Sequence, residues 1–131
     1  MSQLPTKVKV YWNLHKDTFS IVTLDKGENY GKVWGYADSL HLVRVNFKVS
    51  EAGRQRVLKE KRKNVHAYVV GELNSINVSK GWIRGSHIRY NPYLYQTFVD
   101  DEEKPVYKAD EAFLFHKQVF ASGIQKNLFE E

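Results

Sequence analysis

Apolar and polar residues alternate along much of this chain with the period of two that marks a half-buried strand. The clearest case is Val43, Val45, Phe47 and Val49, separated by Arg44, Asn46 and Lys48. Residues 8–14 and 18–24 are rich in β-forming side chains and read as a pair joined through His15-Lys16-Asp17. Lys26-Gly27-Glu28-Asn29-Tyr30-Gly31 carries turn chemistry, and 32–37 follows as a third strand. Residues 65–70 form an apolar run broken only by His66. One segment departs from this period. Ser50 stands at an N-cap position with Glu51 behind it, and 51–63 lacks proline and is rich in straight-chain residues, which predicts a helix over about 50–63 ending near Asn64. Its apolar stripe is narrow, Ala52, Val57 and Leu58, so its basic side chains are expected outside.

Past Gly71 the chain is β and turn again. Residues 74–81 are turn-like around Ile76 and Val78, and 82–90 are β-like around Gly85. Asn91-Pro92 is a turn signal, because proline fixes φ and biases its predecessor away from helix. Residues 93–99 are aromatic and β-like, 100–105 form an acidic loop, and 112–115 pairs with 118–121 around His116-Lys117. The tail, apolar only at Ile124, Leu128 and Phe129, is a candidate short C-terminal helix that docks on the body or on a second subunit. The expected class is α+β: a predominantly antiparallel sheet or small barrel with one central basic helix and that short C-terminal helix.

Length and composition narrow the picture. At 131 residues the chain is expected to form a single domain, 1–131, with enough core to need no staples. It has no cysteine, which excludes disulfides, thiolate metal sites and a cysteine nucleophile. No stretch reaches the roughly 18 apolar residues of a membrane span, and no signal peptide is evident, so a cytoplasmic protein without membrane contact is expected. The net charge is +5, unevenly spread. Arg54, Arg56, Lys59, Lys61, Arg62 and Lys63 face Glu60 alone in one window, while 100–103 holds four acids. A basic focus of this kind favours a polyanionic partner.

Two constellations could bind such a partner. On the helix, Arg56, Lys59 and Lys63 share a face, with Arg54 and Arg62 elsewhere around the cylinder. Arginine suits phosphate because its planar fork donates two hydrogen bonds at once. A solvated surface helix explains these charges equally well, except that such a helix usually interleaves signs and this one mostly does not. The second stretch runs from Trp82 to Phe98, with Arg84, His87, Arg89, Tyr90, Asn91, Tyr93 and Tyr95. Its rings could stack bases and its arginines hold phosphates. At least half of those rings are expected to be core. Catalytic signals are thin. The five histidines form no HExxH or HxH pattern, and no P-loop, GxGxxG or GxSxG occurs. No metal or cofactor is expected, and an enzyme is not; a metal-free histidine pair acting on a phosphodiester stays open as the minor reading.

The segment from Val49-Ser50-Glu51-Ala52-Gly53-Arg54 through Val65-His66-Ala67, with Val10-Tyr11-Trp12-Asn13-Leu14-His15 and Tyr90-Asn91-Pro92-Tyr93, resembles a family of small bacteriophage proteins over most of residues 8–99. Length, the basic helix and the aromatic–Asn–Pro region also look like the Thoeris anti-defence sponge family. That resemblance implies binding and sequestration, without cleavage, of a cyclic ADP-ribose isomer or cyclic oligonucleotide in the infected bacterial host, in sites made by a homo-oligomer. The site residues chosen on chemistry are Trp82 and Tyr93 for stacking, Asn91 for an edge contact, and Arg54, Arg56 and Arg84 for phosphates. The alternatives are a general nucleic-acid-binding phage protein and a phage inhibitor that binds a host protein.

Overall fold

In the computed structural model, which describes residues 4–62 and 65–125, the alternating stretches become strands of one sheet. They are β1 (Lys7–Asn13), β2 (Thr18–Thr23), β3 (Val33–Ala37), β4 (Ser39–Val49), β5 (Ala67–Ile76), β6 (Ser86–Ile88), β7 (Lys108–Phe115) and β8 (Gln118–Ser122). The order across the sheet is β3-β2-β1-β5-β4-β7-β8-β6, and every pairing is antiparallel. One helix, α1 (Glu51–Glu60), is inserted between β4 and β5, and a 3₁₀ turn spans Lys80–Trp82.

The sheet curls on itself. Lys117, in the β7–β8 turn, brings its Nζ to 6.0 Å from the Trp12 ring of β1, although β5 and β4 lie between those strands in the sheet. One apolar cluster fills the concave side: Val8 and Val10 of β1, Ile21 of β2, Leu40, Leu42, Val45 and Phe47 of β4, and Leu114 of β7 are all buried. Burial of this continuous core is what holds the strands together, at about 25 cal/mol per Å² of apolar surface removed from water.

β4 corrects the simplest reading of its own alternation. Leu40 and Leu42 face the core, but so do Val45 and Phe47, and Val43 is only half-buried. The register slips between Val43 and Asn46, where Arg44 takes a positive φ of 52°. This bulge inserts one residue and returns the following apolar positions to the inner face. Arg44 is held by a forked pair to Glu72 of β5, with Nε–Oε2 at 2.6 Å and Nη2–Oε1 at 2.5 Å. Gly71 sits behind the bulge, where a Cβ would lie 3.1 Å from the Val43 carbonyl oxygen.

The α+β class does not survive: strands make up 49 % of the described residues and helix 11 %, so the protein is mainly β with one short helix. Ser50 does cap α1, its side chain accepting from the Gly53 N–H at 3.3 Å. The helix stops at Glu60 because Lys61 turns left-handed (φ 58°) and closes the last turn onto the Val57 carbonyl. The expected continuation to 63 is therefore absent through Arg62, and Lys63 and Asn64 lie outside the described residues. The helix is peripheral to the sheet, burying only Gly53 and Val57. In the tail, residues 122–125 are not helical: Ser122 ends β8 and Gln125 bridges back to Lys108. Leu128 and Phe129 lie outside the described residues.

Candidate functional site

Strands β1 and β5 pair only from Lys7↔Glu72 to Val10↔Val69. Beyond that point they part. β1 stays with β2 as far as Asn13↔Thr18, while β5 stays with β4 back to Val49↔Ala67. The fork between them is a groove of about 930 Å³ bounded by Trp12, Leu14, His15, Arg62, Val65 and Pro92, among others. A second, inner chamber of about 360 Å³ shares Tyr11, Trp12, Ala67 and Tyr90 with it and reaches Phe19, Phe98 and Leu114 of the core. Volumes of roughly 300–1,000 Å³ are usual for small-molecule sites, as is a position at the mouth of a curled sheet.

Trp12 stands where the two spaces meet. Its ring packs edge-on against Phe19 with centroids 4.8 Å apart. Its indole N–H is buried and has no hydrogen-bond partner among the described residues. A buried donor left unsatisfied costs about 1–3 kcal/mol.

The opposite wall is a His66–Tyr90 pair. The Tyr90 hydroxyl lies 2.7 Å from His66 Nε2, and the rings meet at 67°. Burial pushes the Tyr90 phenol up to about 12, with Arg54 working against the shift and Glu51 with it. His66 is itself pressed against the helix: a Cβ on Gly53 would come within 2.6 Å of the His66 Cβ, so only glycine fits there. Basic side chains stand around the two spaces. Arg62 and His15 edge the outer groove, and Arg89 and Lys117 the inner chamber. Arg62 is mostly exposed and also pairs with Glu60 at 2.9 Å.

Pro92 reaches this groove through a loop that Arg54 holds from within. The Arg54 Nε donates to the carbonyls of Pro92 and Tyr95, each at 3.1 Å, and its Nη1 meets Glu51 at 2.7 Å. Arg54 is thus a structural clamp, its side chain only 11 % exposed. Asn91 is likewise engaged in the turn: its Oδ1 accepts from the Tyr93 N–H at 2.9 Å and its carbonyl accepts from Leu94 and Tyr95. Tyr93 next to it is exposed, and Arg56 is exposed on α1.

Trp82 and Arg84 stand elsewhere. Arg84 is forked onto Glu111 of β7 at 2.9 and 3.0 Å. Glu111 pairs with Val43, six residues before the end of β4 where α1 begins, or roughly 20 Å along the strand. Trp82 is 60 % exposed and so belongs to no core. The six predicted residues therefore do not share one site: Arg54, Asn91 and Tyr93 meet at the loop, Arg56 stands on the helix, and Trp82 and Arg84 are apart. Sequence reading missed Trp12, Tyr90, His66 and Arg62 as a group. They come from three separate stretches, Trp12, Arg62 with His66, and Tyr90, which only the fold brings to one groove.

The remaining histidines are dispersed. His41 has both ring nitrogens engaged, Nε2 with Glu111 at 2.9 Å and Nδ1 with the Asn74 amide at 2.8 Å, and lies stacked on Phe113. His87 stacks on Phe120, and His116 forms part of the β7–β8 turn. Among the described residues no group of three or more His, Asp or Glu side chains is placed to hold a metal ion. No described helix is long and apolar enough to cross a membrane.

Fold and groove together define a small antiparallel β-sheet protein with a ring-lined cleft where its sheet forks, and the comparisons put it among proteins of bacteriophages. The family model described as Mycobacterium phage L5 gene 82 protein matches residues 1–122. The gene 82 protein of Mycobacterium phage L5 is 36 % identical over 129 residues, which covers 93 % of this chain and 100 % of that protein. The chain belongs to the Mycobacterium phage L5 gene 82 protein family. No solved structure matches it. The phage origin implied by the sequence motifs stands; the resemblance to the Thoeris anti-defence sponge family finds no support in these matches.

Proposed function

We propose that this phage protein is a binding protein, without catalysis of its own, for a ligand that joins a flat heteroaromatic ring to phosphate: a nucleotide. The observation that carries the reading is the fork groove, bounded by Trp12, whose buried N–H has no partner among the described residues, and edged by basic side chains. A nucleobase offers the inner chamber an apolar face and ring acceptors, and stacking on aromatic side chains contributes about 1–3 kcal/mol per base. Phosphates would then lie toward Arg62 and His15. In an infected bacterium, a protein that holds such a ligand without consuming it would withdraw a nucleotide signal of host immunity, a cyclic ADP-ribose isomer or a cyclic oligonucleotide. Arg54 and Asn91 enter this reading as the supports of the groove's Pro92 wall, not as ligand contacts.

The test is incubation of the purified protein with cyclic dinucleotides, cyclic trinucleotides and cyclic ADP-ribose isomers, then heat denaturation and chromatography of what is released. Stoichiometric recovery of one intact compound, lost in Trp12→Ala and weakened about tenfold in Trp12→Phe, which keeps a ring but removes the donor, supports the reading. Retention of none of the panel sinks it. A second reading has one observation in its favour: two of the five histidines, His15 and His66, border the same groove. Recovery of a cleaved product, abolished by His15→Ala, would make the protein a metal-free phosphodiesterase instead.

A further inference from the structure

The sheet ends on one side in β3, which pairs with β2 and with no other strand among the described residues. Its sequence is Val33-Trp34-Gly35-Tyr36-Ala37, without a charge or a proline. Edge strands of folded proteins are normally blunted by such residues, because their free N–H and C=O groups recruit other strands. The opposite edge, β6, has only three residues. Exposed apolar side chains also gather at the β3 end, with Tyr30, Val33 and Tyr36 each more than two-fifths exposed.

We infer that β3 is the dimerisation edge of this protein, pairing antiparallel with β3 of a second copy about a two-fold axis through Gly35. This register engages all five residues of the strand, and it sets Trp34 opposite the second copy's Tyr36. One step beyond the strand it sets Lys32 opposite the second copy's Asp38, and symmetry repeats that pair at the other end. Lys32 and Asp38 are both exposed. They are the first charges met on either side of the uncharged strand, and they have opposite sign. The same strand is therefore complementary to itself in charge as well as in backbone, as a two-fold interface requires. Gly35 leaves space on the axis: a Cβ built there has nothing within 4 Å. β3 carries a bulge against β2 at Trp34, which coils the edge and keeps the pairing short. A weak, concentration-dependent dimer is expected, and it stands independently of the nucleotide reading.

The chain has no cysteine, so one introduced cysteine reports its own neighbours. In the proposed register Gly35→Cys faces itself at a Cα separation of about 4.5–5.5 Å, within disulfide range. Val33→Cys would lie four residues out of register from its copy, about 13 Å away. Under mild oxidation Gly35→Cys is expected to cross-link and Val33→Cys is not. Sedimentation equilibrium of the cysteine-free protein should show a monomer–dimer equilibrium. Lys32→Asp or Asp38→Lys alone should weaken it about tenfold, and the two together should restore it. A monomer at all concentrations, equal cross-linking at both positions, no cross-linking at 35, or failure of the charge exchange to rescue would each overturn the proposal. Circular dichroism of each variant establishes that its fold is retained.

Discussion

Replacing Arg54 by alanine should cost this protein much of its stability through a loop nearly forty residues away in sequence. The guanidinium is the donor for two backbone carbonyls, those of Pro92 and Tyr95, at 3.1 Å each. Both bonds come from one Nε–H, so they count as one shared interaction. A hydrogen bond from a charged donor contributes about 1.5–3 kcal/mol, and the side chain is well shielded here. The pair with Glu51, whose side chain is 55 % exposed, adds about 0–1 kcal/mol. Arg54→Ala should therefore lower the unfolding free energy by about 1.5–4 kcal/mol. In a domain of this size that moves the thermal midpoint by roughly 10 °C. Urea unfolding followed by tryptophan fluorescence reads it, with an unchanged slope expected. Arg54→Lys should recover only part of the loss, because an ammonium cannot reproduce the guanidinium fork. A loss under about 0.5 kcal/mol would refute the clamp, and with it the view that Arg54 is structural and not a ligand contact.

Other substitutions and titrations test separate features. Gly85→Ala should cost about 3 kcal/mol, since a Cβ there would lie 2.3 Å from the Ala121 carbonyl oxygen at a φ of +104°. Gly27→Ala, at positive φ but in open space, should cost about 1 kcal/mol, and equal losses in the two would contradict the steric account. Glu111 loses some affinity for its charge by burial, but hydrogen bonds from Arg84 and His41 outweigh this and hold its carboxyl below the usual value. Its contribution is thus present above the unfolded-state value and lost as pH falls through the folded one. Glu111→Gln should flatten the acid limb of stability below about pH 4.5 without steepening it elsewhere. Tyr90 is raised to about 12, so its contribution is complete below about pH 10 and lost as pH rises toward 12. Tyr90→Phe should remove that alkaline loss, and a tyrosinate absorbance titration should lose a late-titrating phenol in that variant while Tyr95, raised by its hydrogen bond to Glu103, still titrates late.

Local chemistry was the legible part of this fold. The hairpins β1–β2 and β7–β8, and the start of α1 at Ser50, follow from alternation, turn residues and a cap. The positive φ of His116 and Lys117 is what a two-residue hairpin turn demands. Features set by long-range contacts were not legible. Nothing local marks Arg44 as a bulge, because its left-handed turn is stabilised by Glu72 on the next strand. The run 65–70 suggested a strand from Val65, yet β5 starts at Ala67 and Val65 is half-exposed at the groove. The aromatic stretch after Asn91 looked like a strand and is instead a loop organised around Arg54. Trp82 drew attention by its company in the sequence, whereas Trp12, inside an ordinary strand, has a buried donor with no partner among the described residues. A groove assembled from β1, the start of β5 and the segment before Pro92 leaves no signature in any one of them.

The short seam between β1 and β5 also has a kinetic meaning. On one side of it lies a meander of β3, β2 and β1, each strand paired with its neighbour in sequence; on the other lie β5, β4, β7, β8 and β6. Along the backbone they are joined by the four residue pairs from Lys7↔Glu72 to Val10↔Val69, roughly sixty positions apart, and by the Leu73 N–H that donates to the Thr6 carbonyl at 2.8 Å. The β3-β2-β1 meander forms its ladders through short loops, whereas the seam, like the β4–β7 pairing from Ser39↔Phe115 to Asn46↔Lys108, must close a long loop before it gains any contact. The meander can therefore form before it joins the rest of the sheet, and in the folded protein the same short seam is where the sheet would first unzip. Because the fork is the open end of that seam, a molecule lodged between Trp12 and Ala67 would bridge the two halves and slow their separation.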